Sequence, residues 1–281
     1  MGNPKKDLYE ISAISAGKNQ TLAVLKSGEV LGWGGAGSGR VTVGYVDICG
    51  TRAPSKEPVY IGKPSLYSNV CAGNGVSLGV SKQQAFIWGF SQIGIGGKAL
   101  FTEAPYLIDG ISDVSKVAAG QFIYAALDQA GNIYTWGLNS DGALGRTTTQ
   151  LNASPEKIAD LPPMQEVLIG DNFMAALSKD QRVYAWGSNS AGQLGLGNLQ
   201  SISKPEPVAL PVPITSIAVG STHVLAVTSN GTLYGWGSNH IGQLGNMKSS
   251  YTDHPTQIIF PEKIKAVAAG MHYSLALANS G

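Results

Sequence analysis

The segment Trp186-Gly-Ser-Asn-Ser-Ala-Gly-Gln-Leu-Gly195 returns fifty residues later as Trp236-Gly-Ser-Asn-His-Ile-Gly-Gln-Leu-Gly245. All five tryptophans of the chain precede a glycine, and their spacings are 55, 48, 50 and 50 residues. The other three are Trp33, Trp88 and Trp136. A period near 50 residues indicates a protein built from repeated supersecondary units.

Two further positions keep the same period. A glycine stands 15 or 16 residues before each tryptophan, and it occurs once more near the end of the chain; these anchor glycines are Gly17, Gly73, Gly120, Gly170, Gly220 and Gly270. A proline precedes each of the last five anchor glycines by 15 residues, at Pro58, Pro105, Pro155, Pro205 and Pro255. The sequence therefore contains six anchor glycines but only five tryptophan segments.

One repeat is predicted to form four short strands. In the fifth repeat these are residues 217–220, 223–228, 233–236 and 255–259, with proline as the first residue of the fourth strand, where a missing N–H is tolerated. Ser229-Asn-Gly231 has the composition of a hairpin turn. No segment shows a 3.6-residue periodicity, so the pattern predicts an all-β protein, a β-propeller with four-stranded blades of about 50 residues.

The count of repeats predicts a single propeller domain over residues 1–281, with six blades of which the last is incomplete. The expected blades span approximately 11–63, 67–109, 114–159, 164–209, 214–260 and 264–281, and residues 4–9 are expected to close the last one. Five blades with loose ends is the alternative.

Composition narrows the function. The net charge is +1, charged residues make up 13% of the chain, and no basic stripe is present, so no nucleic-acid partner is expected. The N-terminus lacks the apolar segment of a signal peptide and no apolar run is long enough to span a membrane, which predicts a soluble, intracellular monomer without a membrane partner. The histidines and cysteines have no ligand spacing and no nucleophile motif occurs, so neither a metal, a cofactor nor a catalytic residue is predicted.

The segments that begin at Trp186 and Trp236 resemble the repeat of the regulator of chromosome condensation family. The resemblance covers residues 11–281 and implies a β-propeller, commonly of seven blades. In the family's exchange factors for the small GTPase Ran, acidic and histidine residues of the loops contact the GTPase. Asp171 matches the acidic position and His223 the histidine position, although the other repeats lack that histidine.

The loops between the first and second strands are the first candidate binding surface, because ring symmetry places all six on one face. The residues of these loops vary between repeats, so they can serve recognition of a partner. The alternative is that they are six ordinary turns exposed to solvent. The candidate residues are Lys18, Asn19, Asn74, Gln121, Phe122, Asp171, Asn172, Thr222, His223 and His272.

An insertion in the first repeat is the second candidate. Residues 40–52 alternate apolar and other residues around Gly44-Tyr45 and are predicted to form a projecting hairpin, with Tyr45, Asp47 and Arg52 as candidate contacts. Family exchange factors carry a projecting β-wedge that acts on the GTPase. A loop that merely covers the incomplete blade is the alternative.

The resemblance implies a protein that binds and activates a small GTPase, most often Ran, by guanine-nucleotide exchange. Stand-alone propellers of this kind also resemble effectors that intracellular bacteria deliver into host cells. The alternative is a non-catalytic scaffold or an inhibitor, since one fold hosts many functions.

Overall fold

The computed structural model describes residues 9–18, 20–34, 55–61, 66–91, 100–148, 152–245 and 249–281. These ranges hold 22 strands, numbered β1 to β22 in chain order, and one short 3-10 turn at Ser140–Gly142, with no α-helix among them. Each sheet is an antiparallel meander in which strands that follow one another in sequence are neighbours. The repeat therefore folds locally, one sheet for each repeat.

The first three sheets contain four strands each. Sheet 1 consists of β1 (Ile11–Ala16), β2 (Gln20–Leu25), β3 (Val30–Gly34) and β4 (Ser55–Tyr60). Sheet 2 consists of β5 (Tyr67–Ala72), β6 (Val76–Ser81), β7 (Gln84–Ser91) and β8 (Leu100–Leu107). Sheet 3 consists of β9 (Val114–Ala119), β10 (Ile123–Asp128), β11 (Ile133–Leu138) and β12 (Asn152–Lys157).

The next two sheets repeat this arrangement, and the last one is shorter. Sheet 4 consists of β13 (Met164–Ile169), β14 (Phe173–Ser178), β15 (Val183–Gly187) and β16 (Ile202–Pro207). Sheet 5 consists of β17 (Ile214–Val219), β18 (His223–Thr228), β19 (Leu233–Ser238) and β20 (Tyr251–Ile258). Sheet 6 consists only of β21 (Ile264–Ala269) and β22 (Ser274–Ala278).

The all-β propeller is confirmed, but the prediction of six blades is wrong. The described residues form five four-stranded blades, which was the alternative, followed by the two-stranded sheet 6. The physical reason is that only two strands, β21 and β22, pair in the sixth repeat among the described residues, so no four-stranded sheet forms there. Of residues 4–9, expected to close the last blade, residues 4–8 lie outside the described residues, and the Tyr9 ring packs edge-on against Tyr60 of sheet 1.

The prolines of the repeat lie inside the fourth strand rather than at its start, as Pro255 does in β20. The fourth strand is an edge strand, so a proline there breaks no ladder on its outer side. The pairing of β19 with β20 shifts register between Gly235 and Gly237, opposite this stretch. A register shift occurs at the same point of sheets 1 to 4.

The hydrophobic core lies between consecutive sheets, and the buried tryptophan side chains all point in the same direction along the series of sheets. Trp88 of sheet 2 packs with Leu22 and Val24 of sheet 1, and Trp136 of sheet 3 packs with Leu78 of sheet 2. Trp186 and Trp236 pack in the same way against sheets 3 and 4. Each of these indoles therefore points at the preceding sheet, and all four are fully buried.

The first and last sheets are more exposed than the sheets between them. Strand β1 is exposed along almost all of its length, whereas its counterparts in sheets 2 to 5 are partly buried. Ile14 is 72% exposed, and Leu275 of β22 is 62% exposed. Trp33, which has no preceding sheet among the described residues, is only half-buried.

Candidate binding face

The loops that join first to second strands and third to fourth strands lie at one end of every sheet. In sheet 1 the pairing of Gln20 with Gly34, and of Gly34 with Ser55, places the ends of β2 and β3 and the start of β4 together. The other connections, including those at Asp109 and Asp160, lie at the opposite end because the strands are antiparallel. The six anchor-glycine loops thus share one face, as the symmetry argument predicted.

These loops surround a central cavity of about 380 Å³. All six anchor glycines line it, together with residues of the loops themselves. Backbone hydrogen bonds link successive loops: the Asp171 N–H donates to the Ser221 carbonyl at 2.8 Å, and the Ser221 N–H donates to the Met271 carbonyl at 3.1 Å. Backbone hydrogen bonds therefore connect the loops of sheets 4, 5 and 6.

The anchor glycines are required because neighbouring backbones approach one another here. A Cβ on Gly17 would lie 2.3 Å from the carbonyl oxygen of Gly73, and one on Gly220 would lie 2.6 Å from that of Gly270. Real Cβ atoms do not come so close to a backbone oxygen. The glycines allow the backbones of neighbouring loops to lie close together, and the residues that follow them carry the variable side chains.

The structure separates the predicted loop residues by exposure. The exposed residues are Lys18, Gln121, Asp171, Asn172 and His272. The half-buried residues are Asn74, Phe122 and Thr222, while His223 is fully buried. Asn19 and the hairpin residues Tyr45, Asp47 and Arg52 lie outside the described residues.

His223 bridges sheets 5 and 6 instead of facing the cavity. Its Nε2 lies 3.0 Å from the Ser274 hydroxyl, which donates its own proton to the Gln243 carbonyl at 2.7 Å. Because that hydroxyl proton is already used, His223 must donate from Nε2, which leaves Nδ1 as the unprotonated nitrogen. Among the described residues Nδ1 has no hydrogen-bond partner.

An equivalent hydrogen bond between neighbouring sheets joins sheets 1 and 2, where glutamine takes the place of histidine. Gln20 of sheet 1 donates from Nε2 to the Ser77 hydroxyl at 3.0 Å and to the Val76 carbonyl at 2.9 Å. Ser77 and Ser274 each stand four residues after an anchor glycine. The position of His223 thus serves contact between sheets, and we leave His223 out of the binding surface proposed below.

Burial, and secondarily the charge of His272, lowers the pKa of His223 from 6.5 to about 4. Protonation would place a proton on Nδ1, where no described acceptor receives it. The neutral imidazole is therefore favoured in the folded protein, and its contribution to stability is present above pH 6.5 and is lost as the pH falls toward 4.

We expect His223→Gln to reduce this acid sensitivity, because glutamine makes the equivalent bridge at position 20. The loss of unfolding free energy between pH 6.5 and pH 4 should be roughly 2 kcal/mol smaller in the variant than in the wild type. Urea unfolding at a series of pH values measures it. Parallel pH profiles for the two proteins would contradict the assignment.

Two exposed residues on this face were not among the predicted site residues. Met271 and Tyr273 flank His272, line the central cavity and are 44% and 62% exposed. Tyr273 occupies the position of His223 and Phe173, both buried. The side chain at this position is buried by the following sheet, as His223 is by sheet 6, and no sheet follows sheet 6 among the described residues.

The residues that follow each tryptophan build the loop rather than a site. The Asn189 side chain accepts from the Leu194 N–H at 2.9 Å and donates to the Asn198 carbonyl at 2.9 Å. Asn239 accepts from the Leu244 N–H at 2.9 Å in the same way. The strongest motif of the sequence is therefore a structural one.

The described part of the chain offers no assembled metal site, since no three His, Cys, Asp or Glu side chains come together there in a way that would hold an ion. Within the same ranges no helix has the length and apolar character to cross a membrane. What the face does present is a polar rim around a cavity that carries two exposed apolar side chains.

Five meandering sheets, an indole between each pair and glycine loops around one cavity define the class, a repeat β-propeller. Residues 130–177, 180–227 and 230–277 match the profile of the regulator of chromosome condensation (RCC1) repeat, and residues 114–143 and 214–243 match a second profile of that description. The first three segments alone make up about half of the chain. The chain belongs to the regulator of chromosome condensation repeat family.

Individual relatives are distant. The chain is 27% identical over 154 residues to the ultraviolet-B receptor UVR8 of Arabidopsis thaliana, covering 53% of this chain and 34% of the receptor. It is 28% identical over 134 residues to the mouse RCC1-like G exchanging factor-like protein, covering 44% of this chain and 29% of that protein. The chain thus spans about a third of the length of these relatives.

A solved structure confirms the fold. Prp20p of Saccharomyces cerevisiae, whose structure was described with its binding properties to Gsp1p and histones, superposes with a TM-score of 0.80 at 24% identity. The superposition covers 96% of this chain and 70% of the yeast protein. At this level of identity the likeness concerns the fold alone.

Proposed function

We propose that the face around the central cavity binds a small GTPase, with Ran as the first candidate, and promotes exchange of its guanine nucleotide. The observation that carries the proposal is the convergence of the six variable loops on one cavity. Family membership and the name of the mouse relative, a G exchanging factor-like protein, support it.

The chemistry of the face suits a protein partner. Lys18 and Asp171 place opposite charges on the rim, Gln121 and Asn172 add amides, and Met271 supplies exposed apolar surface. A mixture of polar and exposed apolar side chains is compatible with a protein interface. Opposite charges on one rim favour a partner with a matching pattern over a uniformly charged polymer.

Exchange needs no bond chemistry in the propeller. A protein that binds the nucleotide-free GTPase more tightly than the loaded form shifts the population toward nucleotide loss. The face must therefore distinguish two states of its partner. The predicted hairpin at 40–52 remains the candidate for that second role: Gly34 and Ser55, which flank the first-repeat insertion, are paired at the same end of sheet 1 as the anchor loop.

Release of a fluorescent GDP from Ran tests the proposal. The wild-type chain should accelerate release, and it should retain nucleotide-free Ran more strongly than GDP-loaded Ran in a pull-down. No acceleration together with no complex with a nucleotide-free GTPase would refute the proposal and favour the alternative of a scaffold or an inhibitor.

Asp171→Lys should weaken the complex with nucleotide-free Ran by about tenfold or more, because it reverses a charge on the proposed interface. Asp109→Lys is the matched control, since Asp109 is also exposed but lies at the opposite end of the sheets. Both variants should keep the unfolding free energy within about 0.5 kcal/mol of wild type. Equal binding by the two variants would remove Asp171 from the interface.

A further inference from the structure

Ser154 is the one hydroxyl residue of the sequence that is directly followed by proline. The sequence contains 14 prolines, and each of the others follows a residue without a hydroxyl group. The segment reads Asn152-Ala-Ser-Pro-Glu-Lys157, so a lysine stands three positions after the serine. A serine before proline, with a basic residue at the third position, is a substrate pattern of proline-directed protein kinases.

This pattern has a physical basis. An amide N–H that is buried without a partner is costly, and proline has no N–H. A kinase that places the residue after the serine in an apolar pocket therefore selects proline, and an acidic group farther along its cleft selects lysine. The residues around Ser154 meet both requirements.

Ser154 is accessible in the folded protein. It lies in β12, an edge strand of sheet 3, and both Ser154 and Lys157 are exposed. The pairing of β11 with β12 shifts register between Thr135 and Gly137, so that Ser154 and Pro155 form a bulge opposite a single residue. An enzyme can therefore reach the serine hydroxyl on an extended segment at the edge of the sheet.

A buried cation lies next to Ser154. Both Ser154 and Arg146 line a cavity of about 530 Å³, together with Thr147 and Thr148. The Arg146 Nη2 donates to the Ser154 carbonyl at 2.7 Å. Because guanidinium groups bind phosphate through charge-assisted hydrogen bonds, a phosphate on this serine would have a partner on its own chain.

Arg146 is at present paired with an exposed carboxylate. Its side chain is 8% exposed, and its Nη1 lies 2.6 Å from Oε2 of Glu156, whose side chain is 70% exposed. The Arg146 Nε has no hydrogen-bond partner among the described residues. Burial lowers the pKa of Arg146, and the charge of Glu156 offsets only part of this effect. A phosphate carries more charge than the carboxylate, and an exposed carboxylate can leave such a pair at little cost.

The cation and the serine occur together in the third repeat and in neither of the two repeats that follow. The position of Arg146 holds Leu196 in the fourth repeat, and the position of Ser154 holds Lys204. In the fifth repeat these positions hold asparagine and histidine. The pair is therefore a feature of one repeat and not part of the common framework of the blades.

We propose that Ser154 is a phosphorylation site for a proline-directed protein kinase and that its phosphate binds Arg146 in place of Glu156. The γ-phosphoryl group of ATP forms a bond to the Ser154 Oγ as its bond to the bridging oxygen of ADP breaks. ADP leaves, and the hydroxyl proton goes to the base of the kinase. The phosphate then connects β12 to the loop that follows β11. This inference does not rest on the proposed binding of a GTPase.

Phosphorylation of the folded chain tests the first part of the proposal. The full chain is incubated with a purified cyclin-dependent kinase, which is proline-directed and favours lysine at the third position, and with magnesium and ATP. We expect one phosphate per chain, located at Ser154 by mass spectrometry. A peptide of residues 148–160 is the unfolded reference. Phosphorylation of the peptide but not of the chain, or of neither, would overturn the proposal.

Two variants assign the site. Ser154→Ala should lower incorporation by about tenfold or more, because it removes the hydroxyl that accepts the phosphate. Ser203→Ala is the matched control and should leave incorporation within about twofold, since Ser203 is also exposed on an edge strand but is followed by lysine. Equal incorporation by the two variants would refute Ser154 as the acceptor.

A phosphorus NMR titration tests the second part. The second pKa of a phosphoserine is about 6, and a neighbouring guanidinium lowers it because it favours the dianion. The phosphate of the modified wild type should therefore titrate at a pH at least about 0.5 lower than the phosphate of the modified Arg146→Leu variant. Leucine stands at this position in the fourth repeat, so the variant is expected to fold.

The phosphorylated peptide of residues 148–160 gives a second reference that does not depend on the folding of a variant. Its phosphate should titrate at a higher pH than that of the modified wild-type chain, because the peptide does not hold Arg146 beside the serine. Equal pKa values for the chain and the peptide, or for the chain and Arg146→Leu, would show that the phosphate does not bind Arg146 and would overturn the proposal.

Discussion

Replacing Trp186 by alanine is expected to lower the free energy of unfolding by about 3–5 kcal/mol, the usual cost of removing a large buried aromatic side chain. The indole is fully buried between sheets 3 and 4 and packs with residues of both. Its N–H also donates to the Ala143 carbonyl at 3.0 Å, so the variant leaves a buried acceptor unsatisfied as well as a cavity. Urea unfolding followed by circular dichroism measures the loss.

Trp33→Ala is the matched control for this experiment. Trp33 occupies the same position of the repeat, but it is only half-buried and has no preceding sheet among the described residues. Its replacement should cost about 1 kcal/mol, since only part of the side chain leaves an apolar environment. A loss below about 1 kcal/mol for Trp186→Ala, or equal losses for the two variants, would show that the indoles do not hold the sheets together.

Gly137→Ala should destabilise the protein by about 3 kcal/mol or more, and it is the second large effect that we expect. Gly137 has a φ of +101°, a conformation that side chains other than glycine rarely adopt. A Cβ there would also lie 2.2 Å from the carbonyl oxygen of Phe122, which is backbone and has no rotamer to change. Strain and overlap act together at this position.

Gly197→Ala separates these two causes. Gly197 has a φ of +75°, and a Cβ there would meet nothing within 4 Å. The variant should therefore cost only about 1 kcal/mol, the conformational part alone. Thermal unfolding of both variants under one condition gives the comparison, and a loss for Gly197→Ala as large as that for Gly137→Ala would show that overlap with Phe122 contributes little.

The sequence was enough to predict the architecture because the repeat is local. The Trp-Gly pairs mark the third strand of each four-stranded sheet, and the predicted strand at 223–228 is found unchanged as β18. The number of blades was not predictable in the same way. An anchor glycine indicates the start of a sheet but not how many strands that sheet contains, and the sheet at Gly270 has two strands among the described residues.

The candidate face was predicted in part. Its location follows from antiparallel pairing and symmetry, which a single sequence reveals. The burial of a particular side chain does not follow, because it depends on the neighbouring sheet. His223 is buried since Ser274 and sheet 6 lie against it, whereas Tyr273 at the same position of the next repeat is exposed.

The conformation of the insertion in the first repeat could not be predicted from the other repeats. Its length departs from the period, so nothing in the other repeats indicates its conformation. Tyr45, Asp47 and Arg52 lie outside the described residues, and their role in a wedge stays a prediction. A deletion of the insertion, tested in the nucleotide-release assay, addresses it directly.

Each described sheet packs only against the sheets next to it in the chain, and this arrangement affects how the protein unfolds. The clusters between sheets form a series along the chain, so the unfolding free energy is approximately a sum of terms for each sheet and each interface. Among the described residues, sheets 1 and 6 each have one such interface, and sheets 2 to 5 have two. For this part of the chain, unfolding is therefore expected to begin at sheets 1 and 6 and to reach sheets 3 and 4 last.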